Sequence, residues 1–241
     1  MKRLSLLSVA ALALLFVGPL SVPGSAQTQE PPKVQIPDPG VPQIMTIEGN
    51  FVRAAYNQEG YAILGYKLAN MSVGEEWMLL EVGFALRDGM PRYDLTRAAL
   101  SLDTPDGQTI PAPSIDEYRK ANLQALQNRE KVQRDSINYF PPNAYKPCSL
   151  QFYTDLSSRA MPWEKVELDD QRACLGRLYF PVNGGIKYGQ HWLNVKFANS
   201  VIRVPFRILT KDEEKLLNKN FKSIKKQVDE AFKPPKKKAT D

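Results

Sequence analysis

The sequence predicts an all-β fold, an immunoglobulin-like β-sandwich with an inserted helix and a C-terminal amphipathic helix. Three observations carry that expectation. Apolar residues recur at every second position in several short runs between residues 44 and 209. Successive side chains of a strand point to opposite faces, so a period of two means one buried face. Turn signals separate these runs, and two longer segments break the rhythm with helical spacing.

The first 26 residues, MKRLSLLSVAALALLFVGPLSVPGSA, have the three parts of a secretory signal peptide. Lys2 and Arg3 form the basic start, the run from Leu4 to Leu20 is apolar, and Gly24-Ser25-Ala26 offers a cleavage site after Ala26. The expected location is therefore exported, periplasmic or extracellular. Residues 27–43 contain five prolines and little to bury. Such a segment cannot offset its ordering entropy and is expected to be an extended leader.

The sandwich domain is expected over residues 44–209. Ala62, Leu64, Tyr66 and Leu68 alternate, then Met78, Leu80, Val82, Phe84 and Leu86, and more weakly Ala98, Leu100 and Leu102. Turns fall at Asn57–Gly60, Asn70–Gly74 and Asp88-Gly89. Ser114 and Glu117 have capping-box spacing, and 115–132 then lacks glycine and proline, so a helical insertion is expected there. INYFPPNAYKPC reads as an irregular loop held down by Cys148. Strands resume at residues 175–180, 193–197 and 202–208. Pro205 lacks an amide donor, which puts the last strand at a sheet edge or a bulge.

Thr210 and Glu213 repeat the capping-box spacing and open a basic helix and tail over 210–241. Leu217, Phe221, Ile224, Val228 and Phe232 form one apolar stripe on it. Pro234 and Pro235 end the helix.

The stretches LANMSVGEEWMLLEVGFAL, LSLDTPDGQTIPAP, CLGRLYFPVNGG, LNVKF and IRVPFRI together resemble the secreted telokin-like sandwich domains of bacteria. The likeness covers about residues 45–209. It implies an immunoglobulin fold and an envelope or extracellular setting, and it carries no catalytic residue. The insertion at 115–132 and the basic tail depart from that pattern.

Charge is unevenly placed. The net +6 divides into +2 on the signal peptide, zero over residues 27–210 and +4 on residues 211–241. A neutral body argues against nucleic acid as a partner. Cys148 and Cys174, an even pair in an exported chain, are expected to form a disulfide. No metal or cofactor is expected, because metal-ligand motifs, phosphate-binding loops and dinucleotide fingerprints are missing.

Candidate chemistries are few. Asp103 and Asp106 could be a calcium loop or a carboxylate pair, but a hairpin turn explains them with fewer assumptions. Glu167–Asp170 reads as a solvated acidic loop, and His191 has no serine elbow to serve. Trp77, Trp163 and Trp192 are the further aromatics that could stack on a ligand. Tyr139, Phe140 and Tyr145 form a proline-stiffened loop suited to ligand contact, or to covering the body. Leu217, Phe221, Ile224, Val228 and Phe232 could dock on the body, meet a partner helix or lie on a membrane surface. The acids Asp212, Glu213, Glu214, Asp229 and Glu230 weaken the membrane option. The sequence thus leans away from an enzyme, toward a non-catalytic interaction or structural protein of the cell envelope. The alternatives are a secreted polysaccharide or peptide hydrolase and a carbohydrate-binding module.

Overall fold

The computed structural model describes residues 43–232. The expected signal peptide, nearly all of the proline-rich leader and the basic end beyond residue 232 lie outside the described residues.

A six-stranded sheet has the spatial order β1 (Ile44–Gly49), β2 (Val52–Tyr56), β3 (Gly60–Gly65), β4 (Trp77–Leu86), β10 (Arg172–Pro181) and β8 (Lys146–Leu150). A four-stranded sheet has the order β12 (Val201–Ile208), β11 (Gly189–Lys196), β6 (Leu100–Asp103) and β7 (Thr109–Pro111). β5 (Tyr93–Thr96) and β9 (Lys165–Leu168) form a separate pair. Four helices complete the described residues: α1 (Lys67–Met71), α2 (Ile115–Lys120), α3 (Gln124–Val132) and α4 (Lys211–Ala231).

The core collects the alternating residues of both larger sheets. Leu64, Leu80, Val82, Phe84 and Leu178 from the first join Leu100, Leu193, Val195, Val204 and Phe206 from the second. Each large apolar side chain buried here contributes roughly 1.5–3 kcal/mol. The two-residue rhythm of β12 is visible in its burial, with Ile202, Val204, Phe206 and Ile208 inward and Arg203 and Arg207 half-exposed.

The all-β, immunoglobulin-like expectation does not hold. Helix makes up 23% of the described residues against 38% strand, and the large sheet is mixed. β8 runs parallel to β10, with Cys148 opposite Cys174, while the other neighbours in that sheet are antiparallel. The physical reason is plain. A period of two reports that a strand has a buried face; it carries no information on the direction of the neighbouring strand.

Two local differences have similar causes. The alternation through Leu68 does not continue as a strand, because the chain turns at Tyr66 into α1, where Leu68 and Ala69 are buried. The helix expected over 115–132 is split at residues 121–123. Tyr118 and Leu123 are both buried, yet five residues along a straight helix would set them about 140° apart. The break lets both reach the core. After it, Leu123, Leu126, Gln127 and Glu130 face inward at helical spacing.

β4 is buried on both faces, with nine of its ten residues buried. Its outer face is covered by the segment 133–145, which crosses the sheet as a strap. Ile137 and Phe140 pack on Val52, Ala54 and Ile63, and Phe140 also meets Ala85, Ala144 and Ala173. Gly83 makes room for it, since a Cβ there would lie 2.5 Å from Phe140 Cζ.

Candidate functional site

Beside the strap, the outer face of the six-stranded sheet carries a polar recess of about 440 Å³ that opens to solvent. The strand register builds its floor. Glu81 on β4 stands directly opposite Arg177 on β10, so both side chains project from the same face. α3 contributes Glu130, the strap contributes Asp135, and the loop after β8 contributes Asp155.

Arg177 holds this group together. Its Nη1 donates to Asp155 Oδ1 at 2.8 Å and lies 3.3 Å from Glu130 Oε2. Arg134 Nε pairs with the other Glu130 oxygen at 3.1 Å. The backbone N–H of Asp135 donates to Glu81 Oε2, and Asp135 Oδ2 accepts the N–H of Lys67 at 2.8 Å. Glu130 is 1% exposed, and its Oε2 receives no hydrogen bond. The contact with Arg177 is an ion pair by distance, but the guanidinium is aligned on Asp155.

Burial pushes the Glu81 carboxyl up to about 7, with the charges of Asp135 and Glu130 adding to the rise. The Asp135 amide and Arg134 oppose it. Burial likewise raises Asp135, against the pull of Lys67 and Arg53. The result is a carboxyl near half-protonation at neutral pH beside other acids. Such a group can exchange a proton.

A second polar network adjoins the recess. Tyr118, Tyr153 and Tyr179 pack with ring centroids 4.9–5.6 Å apart. Tyr118 Oη donates to Thr154 O and accepts from Gln127 Nε2, both at 2.6 Å.

The residues singled out in the sequence lie elsewhere. Asp103 accepts from Thr109 at 2.8 Å and pairs with Arg203 at 2.9 Å, at the end of β6. Asp106 accepts from Thr104 Oγ1 and pairs with Lys187, inside the turn between β6 and β7. Gly107 in that turn has φ +81°, a backbone conformation open to glycine. The stretch LSLDTPDGQTIPAP is thus a strand, a tight turn and a short strand.

Glu167 sits on β9, Asp169 accepts the N–H groups of Gln171 and Arg172, and Asp170 accepts that of Gly89. His191 is buried and stacks on Phe206, with its Nδ1 3.1 Å from Gly189 O. Trp77 packs half-buried on the core, Trp192 lies under Arg203, and Trp163 is 43% exposed. Of the aromatic loop, Phe140 is folded onto the sheet, whereas Tyr139 and Tyr145 are exposed. The stripe Leu217, Phe221, Ile224, Val228 and Phe232 is half-buried, with α4 lying along β1.

Comparison of the chain with protein-family models, curated proteins and solved structures finds no match. The setting is read from the molecule itself. Cys148 and Cys174 are bonded, and such a bond fits an oxidising, exported location. No helix among the described residues is long and apolar enough to cross a membrane.

The recess residues Glu81, Glu130, Asp135, Asp155 and Arg177 were not singled out by sequence reasoning. One signal pointed to them. Glu81 is the lone charge in the apolar run WMLLEVGFAL.

Proposed function

We propose that the protein is an exported, non-catalytic interaction protein of the cell envelope, and that α4 is its contact element for a protein partner. The observation behind this reading is that α4 has 21 residues and a capping box at Thr210 and Glu213, yet none of its residues is buried. Its apolar stripe is only half-buried along β1. Lys225 Nζ donates to Ile47 O at 2.6 Å and to Glu48 Oε2 at 2.9 Å, and Asn50 donates to Asn218. Leu216 remains 59% exposed.

The groove on α4 supports a protein partner rather than a lipid surface. Phe221 lies there with Lys222, Lys225 and Lys226 and with Asp229 and Glu230. Mixed charge around an apolar centre suits an amphipathic helix with both signs; anionic lipid favours an unbroken cationic face.

A photo-crosslinking side chain at Leu216, and for comparison at Thr109, tests the reading in the producing cell. A discrete heteromeric adduct is expected from position 216 alone, abolished by Phe221→Ser with Val228→Ser. If position 216 gives no protein adduct, or gives the same one in the serine variant, α4 is not the contact element.

A further inference from the structure

The strap over β4 and the carboxyl beneath it carry a separate reading. We propose that the strap is a pH-sensitive lid on the outer face of the six-stranded sheet, held down while Glu81 carries its proton and loosened when Glu81 ionises.

Between residues 134 and 142, the hydrogen bonds that tie the strap to the other described residues all belong to Asp135. Its N–H donates to Glu81 Oε2, and its Oδ2 accepts the N–H of Lys67 at the start of α1. Beside it, Arg134 pairs with Glu130 at 3.1 Å. The far end is tied by Asn143 Nδ2, which donates to Asp170 O at 2.6 Å. Between these ends the strap rests on apolar contact, with Ile137 and Phe140 on Val52, Ala54 and Ile63. A segment joined to a sheet without a ladder of backbone bonds can lift without breaking the sheet.

Glu81 is 9% exposed on β4, and charged groups face it from each neighbouring element. Asp135 on the strap and Glu130 on α3 repel its carboxylate, while Arg134 attracts it. Arg177 stands opposite on β10 but is aligned on Asp155. Arg53 on β2 and Lys67 on α1 act on Asp135. An ionised Glu81 is thus a buried charge beside two of its own sign, and hydration relieves it. Lifting the strap admits water and parts Asp135 from Glu81.

Under the closed strap the Glu81 carboxyl is raised from 4.5 to about 7. The closed form therefore holds the proton more tightly than the open one. Closure is favoured at low pH, and opening gains at most about tenfold per pH unit between those two values. Burial raises Asp135 as well, which acts in the same sense. Opening also bares Val52, Ala54 and Ile63, so apolar burial sets the closed form as the resting one.

Native-state hydrogen exchange followed by NMR tests the proposal. The amides of Asp135 and Lys67 are the reporters, since each finds its partner across the strap contact. The amide of Leu193, on a strand paired on both sides, is the control. Protection is expressed relative to the unstructured rate at the same pH. From pH 5.5 to 7.0 it is expected to fall about 10–20-fold at both reporters and to hold steady at Leu193. Glu81→Gln keeps an acceptor for the Asp135 amide and cannot ionise, so its reporters are expected to lose most of that slope. Phe140→Ala removes the apolar hold and is expected to lower both protections at every pH. A flat profile in the parent overturns the proposal. So does the parent slope persisting in Glu81→Gln, or an equal slope at Leu193, which would place the event in global unfolding. Unchanged reporters in Phe140→Ala overturn it too, because they would not be reading the strap. The crosslinking result at Leu216 is independent of all these outcomes.

Discussion

Glu81 and His191 are two buried titratable side chains whose effects on stability run in opposite directions. Glu81 has its pKa raised from 4.5 to about 7, chiefly by burial. The folded state therefore holds its proton more tightly than the unfolded chain does. The stabilisation is full below pH 4.5 and is lost as pH rises through about 7, amounting to about 3 kcal/mol at most. His191 has its pKa lowered from 6.5 to about 4, again chiefly by burial, with the Gly189 carbonyl and Asp106 opposing. Its contribution is full above pH 6.5 and is lost as pH falls toward about 4, by a similar amount. Urea unfolding between pH 4.5 and 6.5 separates the two. Relative to the parent, Glu81→Gln is expected to grow more stable as pH rises, and His191→Phe as pH falls, each by up to about 1.4 kcal/mol per pH unit. A parallel shift with no pH slope in either variant would refute the assignment. At this scale the turn at Asp103–Gly107 was legible, because aspartate and glycine meet the needs of a tight turn locally. Glu130 and Asp155 were not legible. Their burial is imposed by a strap, a broken helix and a loop that meet only in the folded chain.

The strap across β4 is the element that sequence periodicity described least well. Its prolines and aromatics marked an irregular loop, and the option of a covering role was open, but the face it covers left its trace in other residues. Gly83 stands where Phe140 needs space, and Gly65 stands where Asp135 does, with a Cβ there 2.7 Å from the Asp135 Cβ. Gly83→Ala is therefore expected to cost about 1–3 kcal/mol by lifting Phe140. Phe140→Ala alone is destabilising as well, but the pair together is expected to cost less than the sum, because the clash has lost one partner. Strict additivity in urea midpoints would mean that the strap does not press on Gly83. The helices were read with mixed success for reasons of range. Both capping boxes form as expected, at Ser114–Glu117 and Thr210–Glu213, since each is settled within four residues. The split between α2 and α3 depends on where the core lies, and no local signal marks it.

Across the whole molecule, the covalent link joins the least conventional pairing. Cys148 and Cys174 bond β8 to β10 across a sequence separation of 26. In the chain-entropy account, opening a loop of that size costs about 3–4 kcal/mol. Cys148→Ser with Cys174→Ser is expected to unfold at correspondingly lower urea concentration, and reduction of the parent should reproduce the loss. Equal midpoints for oxidised and double-serine protein would show that the bond stabilises nothing. The cysteine pairing could be foreseen from composition, and most strands from alternation, whereas the parallel direction of β8 and the helical share of the fold depend on how the chain returns. The last strand was expected at an edge, and β12 is one. There Arg203 sends its N–H to Gln43 Oε1 and accepts from Gln43 Nε2, at 3.1 and 2.8 Å, while two residues on Pro205 has no amide to offer. One glutamine thus acts as a stopper on a raw border. A peptidase that clipped the chain just after it would leave that border open to a second molecule, and the trimmed protein should seed fibres that the intact one does not.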